Sequence, residues 1–221
     1  MYMSREFRTS VATLTAAAAF FVAGCSSESG ESSTFGPNRA EVQASYDAAL
    51  QYWTEQGVKI GGLTLQTVVE GSVLCDDSNG SVQIGSLSLS RATYCSDERR
   101  IIISGRTYDY ALQTAQEDGI SAEAVSAAVV SHEVGHDILF LSGMSGLITD
   151  QKKESIADCL AGVVVAATRP ELGKQSEDLL KTMGGDYHGS AEQRGAAFTN
   201  GFTRDISYCN AALPTMLGIP G

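Results

Sequence analysis

Apolar residues recur at Val42, Tyr46, Ala49, Leu50 and Trp53, a helical spacing that predicts an amphipathic helix closed by Gly57 at the C-terminal cap position. From Gly61 to Ser104 the pattern changes. β-branched runs such as Leu63 to Val69 and Ile101-Ile102-Ile103 are broken by Gly, Ser and Asp-Asp, as short strands would be. From Thr107 the helical period returns: Asp118-Gly119 ends one helix, and Ser121 caps a second that runs through Ala127, Ala128 and Val130 to about Leu141, before Gly143. The apolar content of this second helix predicts that it is buried. A third helix starts with either Thr149 or Asp150 as its cap and reads through Ile156, Ala157, Leu160 and Ala161. A last one opens on a capping box of Ser190 and Gln193, with Ala196, Ala197, Phe198 and Phe202 as its buried side. The fold class is therefore α+β, mainly helical, with a small strand-rich N-terminal part.

The N-terminus follows a different pattern. Arg5 and Arg8 precede an apolar run from Val11 to Ala23 that is short for a bilayer span, and Val22-Ala23-Gly24-Cys25 has the form of a small-residue cleavage site ending in cysteine. That ending resembles a bacterial lipobox, which implies a signal peptide over residues 1–24 and a lipid on Cys25. The protein would then be attached to the outer face of the cytoplasmic membrane, or periplasmic. Residues 25–37 are small and polar and read as a tether, leaving residues 38–221 as one domain.

With 221 residues, 43% of them hydrophobic and 19% charged, the chain is long enough for one buried core. Its formal charge of −11 argues against nucleic acid, because such a surface repels phosphate. Five cysteines would leave one unpaired in an exported protein, but with Cys25 lipidated the other four form an even set. Of the three connectivities open to Cys75, Cys95, Cys159 and Cys209, we favour Cys75–Cys95 within the strand-rich segment and Cys159–Cys209 between the third helix and the end of the chain. No spacing of the CxxC kind points to a metal.

The candidate chemistry lies on the buried second helix. His132-Glu133-Val134-Gly135-His136 puts two imidazoles on one helical face with a carboxylate between, the arrangement in which two histidines hold Zn²⁺ and the glutamate serves as general base. A catalytic zinc needs a third protein ligand. Glu154 on the next helix supplies one, and Asp158, one turn further, suits the contact that fixes the tautomer of a metal-bound imidazole. His188, just before the last helix, could stabilise a developing oxyanion; alternatively His188 and Arg194 only hold that helix against the one carrying Glu154. The Ile101 to Ile103 strand is a candidate edge on which an extended peptide could add.

Tyr94-Cys95-Ser96-Asp97, the His132 to His136 motif, Glu154-Ser155-Ile156-Ala157-Asp158-Cys159-Leu160-Ala161-Gly162, and His188-Gly189-Ser190-Ala191-Glu192-Gln193-Arg194 with Gly201-Phe202 together resemble the neutral zinc metallopeptidase family of bacteria. The resemblance covers Tyr94 to Cys209 and implies a zincin-like fold, a ligand set of His132, His136 and Glu154, and hydrolysis of a peptide or protein substrate. Two features depart from it: Asp137 stands where the family often has a second histidine, and the region before Tyr94 carries no resemblance. Two other readings fit the same residues: a catalytically silent zinc lipoprotein that binds or assembles a partner, and a hydrolase of cell-wall peptides.

Overall fold

A computed structural model describes residues 40–68, 75 and 92–219; the signal peptide, Cys25 and the tether expected from the sequence lie outside them. The elements are α1 (Ala40–Glu55), β1 (Thr64–Val68), β2 (Ala92–Cys95), β3 (Arg100–Ser104), α2 (Gly105–Glu117), α3 (Ala122–Leu141), α4 (Asp150–Thr168), α5 (Gly173–Thr182), α6 (Ala191–Thr203), α7 (Ile206–Cys209) and α8 (Leu213–Leu217), with a 3₁₀ turn at Pro170–Leu172. The protein is thus mostly helical with one small sheet.

The strand order is β1-β3-β2, with β1 parallel and β2 antiparallel to β3. Ile101, Ile102 and Ile103 are all buried, because β3 is the central strand and both of its faces are covered. Ile101 and Ile103 join the main core, while Ile102 packs with the Cys75–Cys95 disulfide. The expectation that this strand is an edge is therefore wrong. An unbroken β-branched run is what a two-sided burial requires, and the edge positions fall to β1 and β2.

α3 is the axis of the fold. Its residues are apolar around most of the circumference, so it is satisfied only by being surrounded, and it packs on α1, α2, α4, α5 and β2. By length and composition it would pass for a membrane span, yet most of it is buried inside the domain. Ser121 caps it as expected, accepting from the Ala124 amide. Thr149 caps α4, and the Ser190–Gln193 capping box opens α6. On α6 the buried side is narrower than the sequence suggests: Ala197 and Phe198 are buried and Phe202 is half-buried, while Ala196 faces solvent.

α4 and α6 form the tightest contact. A Cβ on Gly201 would lie 1.8 Å from the Cys159 carbonyl oxygen, and one on Gly162 would lie 2.1 Å from that of Phe198, so the two backbones touch where a side chain would separate them. Just beyond, the Cys159–Cys209 disulfide ties α4 to α7. Both expected disulfides form, each with a Cα–Cα distance of 5.5 Å.

Gly201→Ala is therefore expected to destabilise the protein by about 2 kcal/mol despite the better helix propensity of alanine. Gly146→Ala, with open space around the added methyl, should change stability by less than about 0.5 kcal/mol. Denaturant unfolding of the two variants makes the comparison. Removing the Cys159–Cys209 bridge, which spans 50 residues, should cost about 2–4 kcal/mol, read as a lower unfolding midpoint in Cys159→Ala/Cys209→Ala.

Candidate metal centre

The helical repeat of α3 places His132 and His136 one turn apart, with ring centroids 4.8 Å apart and their Nε2 atoms at 3.2 Å. α4 brings Glu154 against this pair: Oε2 is 3.1 Å from His132 Nε2, and Oε1 is 3.4 Å from His136 Nε2. Four ligands around zinc at 2.0–2.1 Å stand about 3.3 Å from one another. The two imidazole nitrogens, and the Glu154 oxygen that faces each of them, are thus spaced much as ligands of one ion are.

Asp158 lies one turn along α4 and is fully buried. Its Oδ1 is 2.8 Å from His132 Nδ1, so that nitrogen donates, and Nε2 is left with its lone pair toward Glu154 and His136. Burial opposes a charge on His132, but the Asp158 carboxylate outweighs it, and the imidazole is pushed up to about 10. The second proton it takes sits on Nε2, where a metal cation would compete for the same lone pair. Burial likewise opposes a charge on Glu154, and the imidazoles of His132 and His136 outweigh it, holding the carboxyl far below its usual range. Glu154 Oε2 is shut off from solvent with no hydrogen-bond partner. A buried carboxylate oxygen with no hydrogen-bond partner, faced by imidazole nitrogens that a cation can take over from a proton, is a donor set that fits a divalent metal.

Asp158 is also held from a third helix. Arg194 on α6 donates from Nε to Oδ2 at 2.8 Å and from Nη2 to Oδ1 at 2.7 Å, and from Nη1 to the Met183 carbonyl at 2.9 Å. Burial would raise the Asp158 carboxyl, but Arg194 and His132 overcome that and lower it. Glu133, next to His132, is buried as well, and desolvation raises its pKa above the ordinary carboxylate value. His188 reaches the same place from the chain before α6, its Nε2 3.5 Å from Glu154 Oε2 and its ring centroid 6.3 Å from that of His132. Burial lowers its pKa.

These groups open onto a groove of about 570 Å³, lined by Ala92, Thr93 and Tyr94 of β2, by Lys153, Tyr187 and His188, and by Glu133 with His132 and His136. All of the sequence-predicted site residues from His132 to His188 are thus brought together.

What sequence reading missed is the clamp on the β2 side. Asp137, fully buried, accepts from Arg99 Nε at 2.9 Å and Nη2 at 2.8 Å, and from the Tyr94 hydroxyl at 2.7 Å. Arg99 takes a left-handed backbone (φ 46°) in the β2–β3 turn and donates further to the carbonyls of Gly61 and Ile60. Desolvation, reinforced by the bond to Asp137, raises the Tyr94 hydroxyl, so it stays protonated as a donor. Its ring lies nearly parallel to that of His136, 6.5 Å between centroids. A signal existed: an acid inside an apolar helix has to be paired. No family model, curated protein or solved structure matches the chain.

Arg194→Ala leaves the Asp158 charge buried against His132 alone and should cost about 3–5 kcal/mol of stability. Asp158→Asn keeps the shape but weakens the hold on the His132 tautomer. It is expected to lower metal affinity about 10- to 100-fold, measured by competition with a chromophoric chelator.

Proposed function

We propose that the protein is a zinc-dependent peptide hydrolase of the neutral metallopeptidase kind, with a zincin-like fold, in which His132, His136 and Glu154 hold the metal. The observation that carries this reading is the convergence of three donor residues, with His132, His136 and Glu154 atoms at 3.1–3.4 Å, the His132 tautomer set by Asp158, beside a buried Glu133. Zinc bound there supplies Lewis acidity, which acidifies water and polarises a peptide carbonyl.

The chain's own groups do the rest. Glu133, with its raised pKa, accepts the proton of the attacking water and passes it to the leaving amine. A carboxylate at this position has no use in a purely structural site. His188 also lines the groove and can donate a hydrogen bond to oxygen charge that develops on the carbonyl. Tyr94 and Asp137 keep β2 against α3, so that the groove has a fixed wall along which an extended peptide can lie. This is the place that the sequence assigned to the Ile101 strand.

Export and lipid anchoring through Cys25 belong to the same proposal. Two disulfides in one domain support it, since they persist in an oxidising compartment.

Glu133→Gln should keep one zinc per chain and lose about 10²- to 10⁴-fold in turnover, whereas His136→Ala should lose the metal. Metal analysis and a peptide-library cleavage assay, with and without chelator, read both. A Glu133→Gln variant that cleaves as fast as wild type ends the hydrolase reading. One zinc per chain with no cleavage of any peptide would favour a metal-containing binding protein instead.

A further inference from the structure

His188 is carried on a narrow turn. Gly185 and Gly189 exchange both backbone bonds, N–H to O at 3.0 and 2.9 Å, so that Asp186, Tyr187 and His188 form the tip between them. The turn is fixed at both ends by one side chain: Arg194 bonds the Met183 carbonyl just before it and belongs to α6 just after it. Tyr187 at the tip is 82% exposed, but His188 is folded inward. Its Nε2 and ligand atoms of His132 and Glu154 all lie within 4.8 Å of one another. Glu154 Oε2, which has no hydrogen-bond partner, is faced by His132 Nε2 at 3.1 Å and by His188 Nε2 at 3.5 Å.

We propose that His188 is a fourth, displaceable ligand of the metal. In the resting protein its Nε2 takes the coordination position that a substrate oxygen needs, and when a ligand enters the groove the turn over residues 185–189 lets the ring step back from the metal while it stays within hydrogen-bond reach of that oxygen. This rests on the metal-centre reading above and adds a regulation to it. The exchange is one of donor atoms only: a metal–nitrogen bond opens, a metal–oxygen bond forms, and the imidazole leaves as a neutral group.

Three features make His188 the ligand that yields. His132 and His136 are set in the buried α3 and Glu154 in α4, whereas His188 stands on a turn between two glycines. His132 is braced by Asp158 through its second ring nitrogen, and His188 has no such brace among the described residues. There is also room for the ring: His188 lines both the groove at the proposed metal position and a second one of about 490 Å³ lined from α4 and α6, by Ser155 and Asn200 among others.

The test uses the purified full chain with Zn²⁺ and Co²⁺, and acetohydroxamate as a small oxygen-donor probe. Three proteins are compared: wild type, His188→Ala and His132→Ala. His188→Ala should bind Zn²⁺ about tenfold or more weakly than wild type in chelator competition, and should bind acetohydroxamate more tightly, having no ligand to displace. Wild-type Co²⁺ protein should show the intense visible absorption of four-coordinate cobalt, and acetohydroxamate, which puts two oxygens in place of the one His188 nitrogen, should weaken it to that of five-coordinate cobalt. Equal Zn²⁺ and acetohydroxamate affinities in wild type and His188→Ala would overturn the proposal. So would a wild-type cobalt spectrum that is five-coordinate before any probe is added, a readout that stands even if His188→Ala does not fold. Full Zn²⁺ affinity in His132→Ala would instead overturn the metal centre itself, which separates the two failures.

Discussion

The Asp158 carboxylate is the constraint on which the rest of the structure depends. It is fully buried, belongs to α4, and is bonded to His132 of α3 and to Arg194 of α6. A lone charge in that position would be prohibitive; with two charge-assisted partners it becomes the point where three helices are registered against each other. The same bond that fixes the fold fixes the chemistry, because the proton it holds on His132 Nδ1 decides that Nε2 is a lone pair. An error in the register of α4 or α6 would therefore reach the site at once.

Two clamps keep that point from moving. On one side α4 and α6 meet backbone to backbone at Gly162 and Gly201, and the Cys159–Cys209 bridge lies one residue from Asp158. This leaves little freedom for Glu154 to shift along its axis. On the other side Arg99 and Tyr94 hold Asp137, the neighbour of His136. That second clamp fastens the small sheet to α3 and turns β2 into a wall of the groove. Between them stands a rigid set of donors from two helices, and opposite it the one histidine on a turn. Three proposed ligands on packed helices and a fourth on a turn is the division of labour that an exchangeable metal position requires.

Much of this was legible along the chain, for identifiable reasons. Caps are local chemistry, so Ser121 and the Ser190–Gln193 box could be read from neighbours three residues apart. Periodicity exposed α1, α3 and α4, and helical geometry made His132 and His136 partners before any fold was known. Cysteine parity, with Cys25 set aside, left an even set of four with three connectivities open, and the favoured one is the one that forms. The failures share a cause as well. Ile101 to Ile103 was read as an edge although it is the centre of the sheet, because strand order depends on which strands return to it. Ala196 was placed on a buried face that is narrower than its period suggests. Asp137 looked like a departure from a motif, and its role depends on an arginine 38 residues away.

The sequence by itself therefore determined the donors, their helices and the spacing that puts two imidazoles on one face, since these follow from the dihedral geometry of a single segment. Only the tertiary structure decided that Glu154 meets them within 3.4 Å, that Arg194 and Asp158 lock three helices together, that β2 borders the groove and that His188 faces the metal position. Each of those is a contact between segments distant in sequence. They exist because α3, apolar around most of its circumference, has to be surrounded, and the elements that surround it bring partners to its buried Asp137 and His132.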